Sequence, residues 1–213
     1  MRTELNRIAR LATLAVIGGI LLGALPGVVA AQSWTAEERE TLLDALEASA
    51  KDLMTSIDGL SEAQWTFQQT ADQWSVQQVT EHLALTEELI GGLLAGLGSG
   101  DKVDTWREGR AEIDAMIREG LQDRSQRFQA PESVTPMDNY DSREEMLKAF
   151  KDSRTGVMEL VKSTDIDLRA YTGEHPAFGA IDGHQWVLLL TSHVWRHLDQ
   201  IAEVKADPGY PSH

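Results

Sequence analysis

The sequence contains no cysteine among its 213 residues. Disulfide bonds, thiolate metal ligands and a cysteine nucleophile are therefore excluded, and any metal site must use histidine, carboxylate or water ligands. Basic residues are also few, since 19 Lys and Arg against 34 Asp and Glu give a formal net charge of -15. Because an acidic chain repels phosphate groups, we expect no nucleic-acid partner.

The N-terminal segment has the layout of a secretory signal peptide. Three arginines within the first ten residues precede an apolar stretch over residues 11–25, and a run of small residues ends at Ala31. This layout predicts a signal peptide over residues 1–31 and a mature domain over residues 32–213, located in the periplasm or secreted. An uncleaved membrane anchor is the alternative, because residues 11–31 are just long enough to span a bilayer. After cleavage we expect no membrane contact.

Helical periodicity runs through nearly the whole mature chain, and no segment alternates as a strand does. The predicted helices run from residue 36 to 58, from the Ser75 cap to the glycine-rich segment 96–100, from 104 to 121, from 143 to 162 and from 183 to 204. Four of the starts have a capping residue followed three positions later by Glu or Gln. These caps are Thr35, Ser75, Ser142 and Asp182.

A long connection separates the helices into two groups. Residues 122–141 contain Pro131 and Pro136 and have no strong period, which predicts a crossover loop. A second loop, before the last helix, contains His175 and Pro176. Four long helices with one long connection predict an all-α four-helix bundle with a crossover, and an irregular five-helix array is the alternative.

The last predicted helix carries two histidines, His193 and His197, four residues apart. This spacing places both imidazoles on one face of the helix, one turn apart, where they can chelate a single transition-metal ion. The glutamate that zinc metalloproteases carry between such histidines is missing, because Val194 and Trp195 occupy the interior positions. The protease mechanism therefore lacks its general base.

Both histidines continue the apolar stripe of their helix, and His82 lies on the stripe of the second long helix together with Val79 and Leu89. All three imidazoles are therefore predicted to point into the bundle. Bundle cores are where metal sites are built from facing helices. The pattern predicts a metal site formed by His82, His193 and His197, and hydrogen-bonded core histidines are the alternative.

These histidines belong to a wider pattern. Its positions are Trp74, Ser75, Glu81, His82, Leu83, His193, His197, Gln200 and Ile201. The pattern resembles the DinB-like superfamily, which is distinct from the similarly named DNA polymerase, and the resemblance covers roughly residues 36–211. It implies a four-helix bundle with a metal centre of three histidines, which fall on His82, His193 and His197. With its N-terminal segment the chain would be an exported member.

The resemblance also implies a metal-dependent enzyme that acts on a small molecule, either a hydrolase or a thiol-dependent transferase. Zinc is the first expectation, and nickel, iron and manganese are also compatible with imidazole ligands. An exported protein meets little low-molecular-weight thiol, which favours the hydrolase. The alternative is a non-catalytic bundle that binds a small ligand or a structural metal. Pairing into a homodimer is compatible with such a bundle, and no catalytic residue is identified beyond the metal site.

Metal-bound histidines usually donate their second ring N–H to a carboxylate or a carbonyl. The polar residues near the predicted ligands are Glu81, Glu87, Asp199 and Gln200. Gln200 shares the face of His197 and is the strongest of these candidates. His175 could reach the predicted metal site, but the proline that follows it favours a role for His175 as a loop residue in a His-Pro turn.

Overall fold

The computed structural model of the protein describes residues 34–99, 109–125 and 128–212. Within them lie helices α1 (Ala36–Ile57), α2 (Glu62–Trp65), α3 (Val76–Gly96), α4 (Arg110–Gln122) and α5 (Arg143–Ser163), strands β1 (Thr172–His175) and β2 (Gly179–Asp182), and helix α6 (Gly183–Lys205). Among these helices, none combines enough length and apolar character to cross a membrane. The predicted signal peptide, residues 1–31, lies outside the described residues.

The four long helices begin where their capping residues predict. Complete capping boxes are formed by Thr35–Glu38, Ser75–Gln78 and Asp182–Gln185. In each, a side-chain oxygen accepts a first-turn N–H that has no partner inside the helix. Helix α5 has half of a box, because Glu145 donates its backbone N–H to Ser142 but its carboxylate binds the backbone N–H of Asp141.

Helices α1, α3, α5 and α6 form a four-helix bundle, as predicted. Both α1 and α3 pack against α5 and against α6, while α4 packs on α6 from outside this group. The connection from α3 to α5 contains α4 and a 3-10 turn at Glu132–Val134, and its part between α4 and α5 corresponds to the predicted crossover loop, residues 122–141. The bundle places His82, on α3, opposite the two histidines of α6.

Two sequence predictions about local structure are wrong. Helix α4 begins at Arg110 and not at residue 104, because Gly109 has a φ of 84°, which a right-handed helix does not allow; residues 104–108 lie outside the described residues. The loop before α6 contains an antiparallel hairpin of β1 and β2, although no strand was predicted. Strands of four residues are too short to show a clear alternation, and Gly179, with a φ of 67°, allows the tight turn.

A buried ionic cluster fixes the start of α6. The guanidinium of Arg169 pairs with Asp114 of α4 at 2.8 Å, with Glu38 of α1 at 2.6 Å and with the α6 cap Asp182 at 3.2 Å. Gln185 adds a hydrogen bond from its amide to Asp114 at 2.8 Å. Since α6 is continuous from this cluster to the two histidines, the cluster helps to set the position of α6 in the bundle.

His184 lies beside this cluster and makes the stability of the fold pH-dependent. It is 6 % exposed, and burial lowers its pKa to about 4. The folded protein therefore binds this proton less readily than the unfolded chain, where histidine titrates near ~6.5. This titration therefore costs no stability above about pH 6.5, where His184 is neutral in both states. As the pH drops from about 6.5 towards 4, the unfolded chain takes up the proton first and the free energy of unfolding falls.

We expect His184→Leu to lose less stability than the wild type between pH 7 and pH 5, because the variant lacks this titration. Urea denaturation at the two pH values measures the loss. Other histidines contribute equally to both proteins, so the difference between the two losses isolates His184. Equal losses in the two proteins would contradict the assignment.

Candidate metal centre

Three imidazole nitrogens meet between α3 and α6. The Nε2 atom of His193 lies 3.1 Å from Nε2 of His82 and 3.0 Å from Nε2 of His197. The rings are edge-on to one another, with centroids 4.4 to 4.9 Å apart. The structure thus brings together the three side chains that the sequence singled out, and we call them the histidine triad.

Hydrogen bonds on the far side of two rings fix their orientation. The Nδ1 atom of His82 donates to the backbone carbonyl of Val134 at 2.7 Å, and Nδ1 of His197 donates to Oε1 of Gln200 at 2.8 Å. Because both partners are acceptors, the ring protons lie on Nδ1. The Nε2 atoms of His82 and His197 are therefore unprotonated, and both lie within hydrogen-bond distance of Nε2 of His193.

Burial favours the uncharged form of the three imidazoles in the histidine triad. His82 and His197 are 5 % and 7 % exposed, whereas His193 is partly exposed. Burial lowers the pKa of His82 despite its bond to Val134, and it lowers the pKa values of His193 and His197 well below the usual range. The neighbouring imidazoles add to this effect on His193. Neutral imidazole is the form that binds a metal ion.

Trp74 forms an aromatic wall beside the triad. Its ring centroid lies 5.0 Å from that of His82 and 6.5 Å from that of His197, with the second pair stacked. Trp74 directly precedes the α3 cap, so the helix start that the sequence predicts also positions this wall. An apolar wall limits the access of water and lowers the local dielectric around the imidazoles.

The donor set fits a transition-metal ion. Across the residues that the structure describes, the triad is the one group of three or more histidine, cysteine or acidic side chains whose ligand atoms are close enough to share an ion. Nitrogen atoms that bind one zinc ion at ~2.0–2.1 Å are themselves about 3.3 Å apart. The observed separations of 3.0 and 3.1 Å are close to that value.

The polar residues near the triad have different roles. Gln200 lies where the sequence suggested, at Nδ1 of His197. Glu87 instead forms a buried pair with Arg154, and Glu81 binds the backbone of residues 137–139. Asp199 lies on the opposite side of α6, where it lines a separate groove of about 490 Å³. Of the four candidates, Gln200 alone contacts a histidine of the triad.

One partner of the triad could not be predicted from the sequence. The carbonyl of Val134 comes from the 3-10 turn in the crossover, and Val134 is 4 % exposed. A backbone carbonyl is present at every residue, so no residue type marks it. The only available signal was the length of the crossover, which indicated a functional segment.

His175 does not join the triad. It ends strand β1, and its Nδ1 accepts the backbone N–H groups of Ala177 and Phe178 at 3.1 and 3.3 Å. Its ring packs against Trp186 at 5.3 Å. These contacts agree with the predicted role as a residue of the His-Pro turn, although His175 still contributes to lowering the pKa of His193.

Comparison with known proteins agrees with the fold. A solved structure of YfiT from Bacillus subtilis, described as a probable metal-dependent hydrolase with an unusual four-helix bundle topology, superposes with a TM-score of 0.57 at 16 % identity, over 84 % of this chain and 93 % of that one. YuaE from Bacillus subtilis (strain 168), an uncharacterized protein, is 24 % identical over 152 residues, which are 70 % of this chain and 88 % of YuaE. The model of the DinB superfamily matches residues 45–201. The chain therefore belongs to the DinB superfamily.

Proposed function

We propose that the histidine triad binds one divalent transition-metal ion and that the protein is a metal-dependent hydrolase of a small molecule. The observation that carries this proposal is the partly exposed His193 in a cluster of three ligands. Within the described residues no fourth histidine or acidic side chain joins the cluster. Structural zinc sites are closed by four protein ligands, whereas catalytic sites have three and keep a position open.

A metal ion held by the triad supplies a Lewis acid, which polarises a carbonyl group or acidifies a water molecule. The chain's own residues prepare the site for it. Val134 and Gln200 hold the Nδ1 protons of His82 and His197, so that both Nε2 lone pairs are available without a change of tautomer. Trp74 covers the rings of His82 and His197 on one side, and His193 is the most exposed of the three ligands.

The description of YfiT as a probable metal-dependent hydrolase supports the same reaction class, because this chain shares its fold. Export, which we propose from the layout of residues 1–31, also favours hydrolysis over thiol transfer. Water is the only co-substrate that a hydrolase needs, whereas a transferase depends on a thiol supply. Zinc is the metal that we propose first, since imidazole ligands suit it and it has no redox chemistry.

Removal of the metal is expected to abolish hydrolysis by the wild-type protein. Purified full-length chain loaded with Zn²⁺ is assayed against a panel of chromogenic esters and amides, then treated with a chelator and reloaded. We expect activity to disappear with the metal and to return when Zn²⁺ is restored, because the Lewis acid is the source of catalysis.

The same panel includes a thiol with a chromogenic aryl halide as a second arm. Hydrolysis that survives complete metal removal would refute the proposed mechanism. Turnover in the thiol arm alone would assign the metal site to a transferase. Metal binding without turnover in either arm would favour the non-catalytic alternative.

A further inference from the structure

The crossover reaches the triad through one carbonyl. Val134 accepts the Nδ1 proton of His82 at 2.7 Å, and this bond leaves Nε2 of His82 unprotonated, 3.1 Å from Nε2 of His193. If the carbonyl moved away, the ring of His82 could place its proton on either nitrogen. The position of this backbone segment therefore decides whether His82 presents a lone pair to the triad.

Glu81, the residue before His82, holds the same segment. Its Oε1 atom accepts hydrogen bonds from the backbone N–H of Met137 at 3.0 Å, from the backbone N–H of Asn139 at 2.8 Å and from the Asn139 side-chain amide at 2.7 Å. Glu81 is fully buried, with an exposed fraction of 0 %. A buried carboxylate is costly unless donors compensate it, and bonds to a charged acceptor are stronger than neutral ones.

The two contacts act on one short stretch of backbone. Val134 and Met137 are three residues apart in the crossover, and His82 and Glu81 are adjacent on α3. We propose that Glu81 is a positioning residue of the metal centre: it anchors residues 137–139, and thereby holds the Val134 carbonyl on the Nδ1 proton of His82. This inference rests on the proposed metal binding by the triad.

Loss of the hydrogen bonds that Glu81 accepts from Met137 and Asn139 should weaken metal binding by the triad. Outer partners that orient a metal-bound histidine are typically worth about 10–100-fold in metal affinity. Glu81 acts on His82 through a loop, so we expect the lower part of that range, about tenfold, for Glu81→Ala. Glu81→Gln keeps one oxygen acceptor and loses the charge, and its affinity should lie between those of Glu81→Ala and the wild type.

Competition with a chromogenic chelator measures the affinity of each full-length variant for Zn²⁺. Glu88→Ala is the matched control, because Glu88 is exposed, lies two turns further along α3 and accepts a hydrogen bond from Tyr140 of the same crossover at 3.0 Å. Glu88→Ala should keep the affinity for Zn²⁺ within about twofold of the wild type, since Tyr140 lies beyond residues 137–139, which Glu81 anchors.

Nitrogen-15 NMR of the metal-free proteins reports the tautomer of His82, which a general loss of stability would not change in the folded fraction. We expect the proton on Nδ1 in the wild type and in Glu88→Ala, and a mixture of tautomers in Glu81→Ala. If Glu81→Ala fails to fold, Glu81→Gln and Asn139→Ala replace it, because each weakens the anchor less severely.

Wild-type affinity together with an unchanged His82 tautomer in the Glu81 variants would overturn the inference. A wild-type protein that binds no Zn²⁺ would refute the proposed function instead, and the tautomer measurement on the metal-free proteins would then decide separately whether Glu81 positions His82. A loss of affinity equal in Glu81→Ala and Glu88→Ala would also count against a specific role for Glu81.

Discussion

Replacing His193 with alanine is expected to abolish tight metal binding and, with it, any hydrolytic activity. His193 lies between the other two ligands, with its Nε2 atom 3.0 to 3.1 Å from both of theirs. The two remaining ligands, His82 on α3 and His197 on α6, then no longer have a third imidazole between them. We expect the affinity for Zn²⁺ to fall by at least ~100-fold, because loss of a ligand costs more than loss of an outer hydrogen-bond partner.

The matched control for this variant is His175→Ala. His175 is also an imidazole near α6, but its contacts are to the backbone of the hairpin turn and to Trp186. Zinc titration of both variants, with unfolding curves of the metal-free proteins, separates ligand loss from instability. Equal zinc affinities in wild type and His193→Ala would remove the triad as the metal site.

Replacing Arg154 with leucine is expected to be the most destabilising single change that the fold suggests. Arg154 of α5 is 3 % exposed and forms a two-pronged ion pair with Glu87 of α3, which is 1 % exposed. The same guanidinium donates to the Leu46 carbonyl and to Ser49 Oγ of α1, both at 2.7 Å. Its removal leaves a buried carboxylate without a counter-charge, which typically costs about 3–5 kcal/mol.

The pH dependence of this cost identifies its cause. Burial raises the pKa of Glu87, and Arg154 opposes that rise. Without Arg154 the pKa of Glu87 should rise further, so the folded variant takes up a proton more readily than the unfolded chain. The stability that Arg154→Leu loses through the charged Glu87 is therefore recovered as the pH falls. In the acid range the carboxyl of Glu87 is neutral in both the folded and the unfolded state.

Urea denaturation of Arg154→Leu, Glu87→Leu and the double variant tests this account. We expect the double variant to regain most of the loss, since a buried ion pair can often be replaced by apolar residues at little cost. The destabilisation of Arg154→Leu should be larger at pH 7 than at pH 5. A double variant as unstable as the sum of the single variants would show that the two residues act independently.

The helices and the pairing of His193 with His197 could be predicted because local chemistry determines them. The caps Thr35, Ser75 and Asp182 satisfy first-turn N–H groups whatever the rest of the fold does. The spacing of His193 and His197 places both rings on one face of α6 by helix geometry alone. That His82 meets them depends on tertiary packing, which the inward stripes and the family resemblance indicated.

Other features depend on pairings between distant segments and could not be predicted in this way. Leu89 lies on the apolar stripe of α3 but is 51 % exposed, whereas Glu87 is 1 % exposed because Arg154 of α5 compensates its charge. Periodicity assigns faces by residue polarity and therefore misses a buried ion pair. The bond from His82 to Val134 spans 52 residues and uses a backbone carbonyl, so no sequence pattern reveals it.

X-ray absorption spectroscopy of the zinc-loaded, full-length protein is the most direct test of the proposed metal centre. The triad predicts one zinc ion per chain, bound by three imidazole nitrogens at ~2.0–2.1 Å with the remaining coordination from oxygen. The His193→Ala variant should lose this spectrum. A chain that binds no zinc, or a spectrum with fewer than three imidazole ligands in the wild type, would contradict the assignment of His82, His193 and His197 as the metal site.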